Sequence, residues 1–271
     1  MKVYATYNIK GGVGKTSTAV NLAYLAAASG RRALLWDLDP QGAATYLFRV
    51  KPRVKGGGRG LVSGKRPVDD AVKATDFDNL DLLPADFSYR NMDLELDDAK
   101  KRTRRLDQLL SGVADEYDVA FLDCPPSVSL VSENVLRAAD VLLVPLIPAT
   151  LSLRTYAQLT QFVADAPRPR PEIVAFFSMA DRRKRLHREV IDAIPRDCGR
   201  IADTVIPSMA LIEQMAERRA DPRLRLEEHC RQVLRAAVGR GPRGLVSARV
   251  VAGWSPAGNA LRRVHTQPAR G

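Results

Sequence analysis

The stretch that decides the fold is MKVYATYNIKGGVGKTS, Met1 to Ser17. Val3 to Ile9 is mostly β-branched, aromatic or small, which predicts a buried strand. It runs into the turn Lys10-Gly11-Gly12-Val13-Gly14, and Lys15-Thr16-Ser17 then opens an alanine-rich helix expected over Thr18 to Ser29, with Gly30 placed to end it. In a strand, glycine turn, helix unit the glycines let backbone N–H groups converge on phosphate oxygens, and the helix N-terminus adds partial positive charge. Lys15 reaches the β- and γ-phosphates and Thr16 ligates Mg²⁺, so the unit predicts a nucleotide triphosphate site. The pattern G-x-x-x-x-G-K-[ST] is not met in full, because Ile9 stands where its first glycine would be. A second lysine, Lys10, stands at the loop start instead.

Two further strand ends carry acids. Arg32 to Trp36 predicts a strand that delivers Asp37-Leu38-Asp39-Pro40-Gln41-Gly42. Asp118 to Leu122 predicts another, ending in Asp123-Cys124-Pro125-Pro126-Ser127. Carboxylates at the C-terminal ends of strands lie where open α/β sheets bind ligands. An acid closing an apolar strand is the arrangement that holds Mg²⁺ directly or through water.

Taken together, Lys10 to Ser17, D-L-D-P-Q-G and D-C-P-P resemble, in order, the motifs of the ParA/MinD ATPases with their deviant Walker A loop. Pro40-Gln41 favours the ParA branch. With no helix-turn-helix segment ahead of the first strand, the resemblance is to the short, Soj-like partitioning type. It covers roughly residues 1–238 and implies an α/β fold, a single doubly wound, mostly parallel sheet with helices on both faces. It makes Lys10, Lys15 and Asp39 the catalytic set, with Asp39 helping to set up the attacking water and Lys10 crossing to a partner subunit's phosphates. Lys10, Gly11, Gly12, Val13, Gly14, Lys15, Thr16 and Ser17 would hold ATP phosphates. Met179, Asp181, Pro207 and Met209 would hold the base, and Thr16, Asp39 and Asp123 would surround Mg²⁺. Relatives carry I-P-R-N-V-R at the late strand end, where this chain has Ile206-Pro207-Ser208-Met209-Ala210, so an arginine linked to DNA binding is missing. The partners implied are a second copy in an ATP-dependent dimer, non-specific DNA, and a ParB-like or other activating protein.

Composition sets the remaining bounds. The 271 residues, 45% hydrophobic, suffice for one α/β domain over residues 1–238, followed by a basic Gly/Pro/Arg-rich tail at 239–271 expected to be mobile. The net charge is +11. Arg49 to Arg66 holds seven basic residues and no acid, and the last thirty-one residues hold five arginines and no acid. Arg182, Arg183, Lys184, Arg185 and Arg188 form a third cluster, a candidate DNA surface. Cys124, Cys198 and Cys230 lack C-x-x-C spacing, which argues against a disulfide framework, zinc or an iron–sulfur carrier. No leader-like segment and no apolar run long enough to span a bilayer is present, so a cytoplasmic protein without membrane insertion is expected, nucleoid-associated when ATP-bound.

The other expectations concern elements. Lys51 to Pro67 reads as an exposed loop, Val68 to Lys73 as a short helix and Leu80 to Leu83 as a strand. Leu94 to Val113 reads as mainly helix with Lys100 to Arg105 on its wet side. Val141 to Pro148, Ile173 to Met179 and Ile201 to Ile206 read as strands, Leu151 to Ala164 as a helix, and Leu211 to Ala220 and Leu224 to Val238 as terminal amphipathic helices.

Overall fold

The computed structural model describes residues 1–64, 66–193 and 201–208. The two terminal helices, the tail, Lys65, Met209, Cys198 and Cys230 lie outside them. Eight strands form one sheet: β1 (Lys2–Thr6), β2 (Ala33–Asp37), β3 (Lys73–Ala74), β4 (Leu80–Leu83), β5 (Val119–Asp123), β6 (Val141–Leu146), β7 (Glu172–Ala180) and β8 (Ile201–Pro207). Their spatial order is β3-β4-β2-β5-β1-β6-β7-β8, parallel throughout except for the β3–β4 edge pair. Among the described residues the α-helices are α1 (Lys15–Ala28), α2 (Ala43–Leu47), α3 (Gly57–Val62), α4 (Met92–Asp97), α5 (Arg105–Ser111), α6 (Leu130–Ala138), α7 (Thr150–Asp165) and α8 (Arg185–Ala193).

The inner strands are near-continuous apolar runs because a parallel sheet is covered on both faces. Alternation along each strand sends neighbours to opposite cores. Val3, Ala5, Leu34, Trp36, Ala120, Leu122, Leu142 and Val144 join one core, under Leu96, Leu106, Leu109, Val131, Val135 and Leu159 of α4 to α7. Tyr4, Leu35, Leu82, Phe121, Leu143 and Phe176 join the other, under Ala19, Leu22, Ala23 and Ala26 of α1. Alanines on α1 bring its axis close to the sheet, which fixes its N-terminus at the end of β1. Each leucine fully buried in this way contributes about 1.5–3 kcal/mol.

Three expectations are corrected. The segment Lys51 to Pro67 is not a bare exposed loop: it contains α3 and buries Val54, Leu61 and Val62 in the core. Val68 to Lys73 is a single 3₁₀ turn over Asp69–Ala71 running into β3. The helix expected over Leu94 to Val113 is two helices, and Lys100 to Arg104 lies in the turns between them. Asn134 of α6 fixes the start of the second. Its Oδ1 accepts from the Arg105 and Leu106 N–H groups at 2.8 and 3.2 Å, and its Nδ2 donates to the Arg102 carbonyl at 2.6 Å. A distant side chain thus caps α5. Among the described residues no helix is long and apolar enough to cross a membrane.

Candidate nucleotide site

The loop between β1 and α1 is held from two sides, by β6 and β7. Asn8 donates from Nδ2 to the Pro145 carbonyl at 2.8 Å and accepts at Oδ1 from the Lys10 N–H at 2.9 Å, tying the loop to β6. Gly12 and Gly14 have φ of 67° and 95°, the left-handed region that favours glycine. Gly14 is also close against β7, because a Cβ there would lie 2.9 Å from Ser178 Oγ. Gly11 and Gly12 are exposed, Val13 is buried beneath them, and Thr16 and Ser17 sit half-buried in the first turn of α1, which holds no acid.

Lys15 is buried and its Nζ donates to the Lys10 carbonyl at 3.1 Å. Burial lowers its pKa, while the charges of Asp123 and Asp39 pull the other way. A desolvated ammonium with one carbonyl partner is prepared for anionic oxygens. Lys10 is half-buried, with its backbone N–H and carbonyl spent inside the loop.

Across the loop, β5 ends on Asp123, 1% exposed. Thr6 Oγ1 lies 3.5 Å from its Oδ1, and its Oδ2 is buried with no hydrogen-bond partner. Burial pushes this carboxyl up to about 8, the neighbouring Asp37 adds to the rise, and Thr16 and Lys15 oppose it. A buried carboxylate with one unpartnered oxygen, acted on by the Thr16 hydroxyl, supplies hard-oxygen ligands that fit Mg²⁺, a cation that keeps several waters and needs few protein ligands. Cys124 beside it is a buried free thiol whose pKa burial raises, which suits packing rather than reactivity.

Asp39 follows β2 at the same sheet edge, half-buried, its Oδ1 accepting from the Gln41 N–H at 2.9 Å. Asp37 is fully buried behind it. Asp37 Oδ2 accepts from the Thr45 N–H and Oγ1 at 2.8 and 2.7 Å, and its Oδ1 accepts from the Asp39 N–H at 3.3 Å. Burial pushes the Asp37 carboxyl up to about 6 against these donors. The structure therefore brings Lys10, Lys15, Thr16, Asp39 and Asp123 together around one loop. Asn8, Asp37, Thr45 and Ser178 complete that frame. Only Asp37 had a signal in the sequence, as the first acid of D-x-D; the other three act through contacts between distant strands.

The residues expected around the base converge less tightly. Met179 takes φ of 56° where β7 and β8 lose regular register, and Pro207 pairs with Ala180. The Asp181 carboxylate is taken by the Arg183 guanidinium at 3.0 and 3.1 Å, which holds it at about 2. In the basic cluster, Arg183 is thus spent on Asp181, and Arg185 pairs with Glu189 at 2.6 Å. Arg182, Lys184 and Arg188 are exposed and without an ion pair among the described residues.

A parallel sheet with a glycine-rich phosphate loop at β1 and acids at the ends of β2 and β5 defines the P-loop nucleoside triphosphatase fold. Residues 1–170 match the AAA domain family. The chromosome partitioning protein ParA of Caulobacter vibrioides is 35% identical over 215 residues, 76% of this chain and 80% of that one. The chain belongs to the ParA family of P-loop ATPases. Among solved structures, a putative plasmid partition protein of Borrelia burgdorferi bound to AMPPNP shares the fold with a TM-score of 0.77, 21% identity, and 87% and 97% of the two chains covered. Cobyrinic acid a,c-diamide synthase from Mycobacterium smegmatis, with bound ADP and magnesium, has a TM-score of 0.70 and 28% identity over 84% and 96%.

Proposed function

We propose that the chain is an ATP-dependent molecular switch: ATP and Mg²⁺ drive a sandwich dimer that binds DNA non-specifically, and slow, partner-stimulated hydrolysis resets it, in partitioning or positioning of DNA or cargo. The observation that carries this reading is the placing of a buried Lys15 and a buried Asp123 with an unpartnered oxygen around one open glycine loop. Lys15 and the loop N–H groups bind phosphate oxygens, and Thr16 and Asp123 would hold Mg²⁺, which supplies neutralisation of phosphate charge when bound. Asp39 orients the attacking water or accepts its proton. Lys10, whose backbone alone is used inside the loop, has its ammonium available to a second subunit. Arg182, Lys184 and Arg188, with the cations of α3 and its approach, supply phosphate-backbone contacts.

The test is fluorescence anisotropy of a random-sequence duplex with Mg²⁺ and ATP, ADP or no nucleotide across a salt series. Tight binding with ATP alone, weakening steeply with salt, is the expected result. Binding that is absent, or equal in all three states, sinks it. In that case a cargo- or membrane-positioning adaptor becomes the better reading, favoured by Ser208, exposed at the end of β8 where relatives carry an arginine.

A further inference from the structure

Behind Asp39 the structure holds a continuous run of hydrogen bonds. Asp37 and Thr45, both fully buried, tie the Asp39 backbone to α2 through the bonds given above. Thr45 Oγ1 also accepts from the Ala85 N–H at 2.8 Å, reaching the exit of β4. The next residue, Asp86, accepts from the Val54 N–H at 2.8 Å through Oδ2, and from the Ser88 N–H and Oγ at 2.9 and 2.7 Å through Oδ1. Ser88 Oγ in turn accepts from the Gly58 N–H at 2.8 Å. The run starts at the acid expected to handle water. It ends on the segment that exposes Lys51, Arg53, Lys55 and Arg59.

There is little slack at the far end. A Cβ at Gly57 would meet Ser88 Oγ at 2.7 Å, and one at Gly58 would meet the buried, unpartnered Glu95 Oε2 at 2.9 Å. Val54, Leu61 and Val62 root the same segment in the core. Close-packed groups of this kind move together. Thr45 therefore links the Asp39 backbone to the Ala85–Ser88 turn, and that turn holds the Val54 and Gly58 N–H groups that lie between the cations.

We propose that this strap couples the nucleotide state at Asp39 to the presentation of the Lys51–Arg59 cations, with Thr45 as the positioning residue at its junction. The ligand of those cations is a nucleic-acid phosphate backbone, and this part rests on the DNA reading above. Coupling is reciprocal, so phosphates docked on the segment bias the ATP site by the same free energy.

The test is amide hydrogen exchange of the full chain with Mg²⁺ and either a non-hydrolysable ATP analogue or ADP. In the unaltered protein the Val54 and Gly58 amides should differ by about threefold or more between the two states. Thr45→Val keeps the volume and removes the hydroxyl. It should abolish the difference while the analogue still binds, and Thr45→Ser should restore it. Asp37→Asn, which replaces one acceptor, serves the same purpose if Thr45→Val does not fold. Equal exchange in the two states of the unaltered protein, or an undiminished difference in Thr45→Val, overturns the coupling. Duplex anisotropy on the same samples separates the two ideas: a nucleotide-dependent strap without duplex binding overturns the DNA reading and the ligand assigned here, and supports the coupling.

Discussion

At the residue scale, the two lysine and carboxylate roles separate cleanly. Lys15 is a desolvated cation aimed at phosphate, so Lys15→Ala should weaken ATP binding by about 100-fold, the cost of losing charge-assisted bonds in a dry site. In the function proposed above, Asp39 handles the attacking water and adds little to nucleotide affinity. Asp39→Ala should leave ATP affinity within about threefold and cut turnover by about 100-fold or more, measured by fluorescent-analogue binding beside phosphate release. Equal loss of binding in both would remove the role given to Asp39. Asp123 adds a pH dependence. Its carboxyl is raised to about 8 in the metal-free site, so it is protonated at pH 7 and must release that proton to take Mg²⁺. Mg²⁺ affinity should therefore rise by about fivefold from pH 7 to 8 and by about twofold more before levelling off above pH 9, read by titration calorimetry, with Asp123→Asn abolishing the effect.

At the element scale, the loop and α3 show how far local pattern reaches. The glycines at 12 and 14 announce a turn, and the structure adds that Gly14 is also a contact with β7. Gly14→Ala should lower ATP affinity by about tenfold or more, from the unfavourable φ and the Ser178 clash together. Pairing it with Ser178→Ala should recover the clash part only, which a double-mutant cycle in the binding assay measures. Within 51–67, Leu61 and Val62 fall at the end of a helix whose first residues are a glycine run, and Val54 is buried from the turn before it, so no apolar period shows in the sequence. What holds that segment, Asp86 and Ser88, lies some thirty residues away. In the same way nothing within 94–113 announces that Asn134 will start a second helix at Arg105.

At the scale of the whole molecule, the clusters of charge are set apart by topology. The Lys51–Arg59 cations belong to the β2–β4 side of the sheet and Arg182 to Arg188 to the β7–β8 side, with the phosphate loop at the centre of the strand order. A single copy thus presents cations on both sides of its nucleotide. Lys10→Ala keeps the backbone N–H and carbonyl that shape the loop. It should leave ATP affinity within about threefold while abolishing the ATP-dependent doubling of mass in light scattering. Retention of the dimer would rule out a cross-subunit role for that side chain.

The sequence by itself determined the strand, loop, helix unit, the three motif-bearing strand ends, and therefore the fold class and the placing of Lys15, Thr16, Asp39 and Asp123 at strand ends and the loop, because these depend on residues adjacent in the chain. Only the tertiary structure decided which groups support them: Asn8 on Pro145, Thr45 on Asp37 and Ala85, Ser178 against Gly14, Asn134 capping α5. Buried polar groups must find partners. Which partner they find is settled by the sheet order, and local sequence pattern does not encode it.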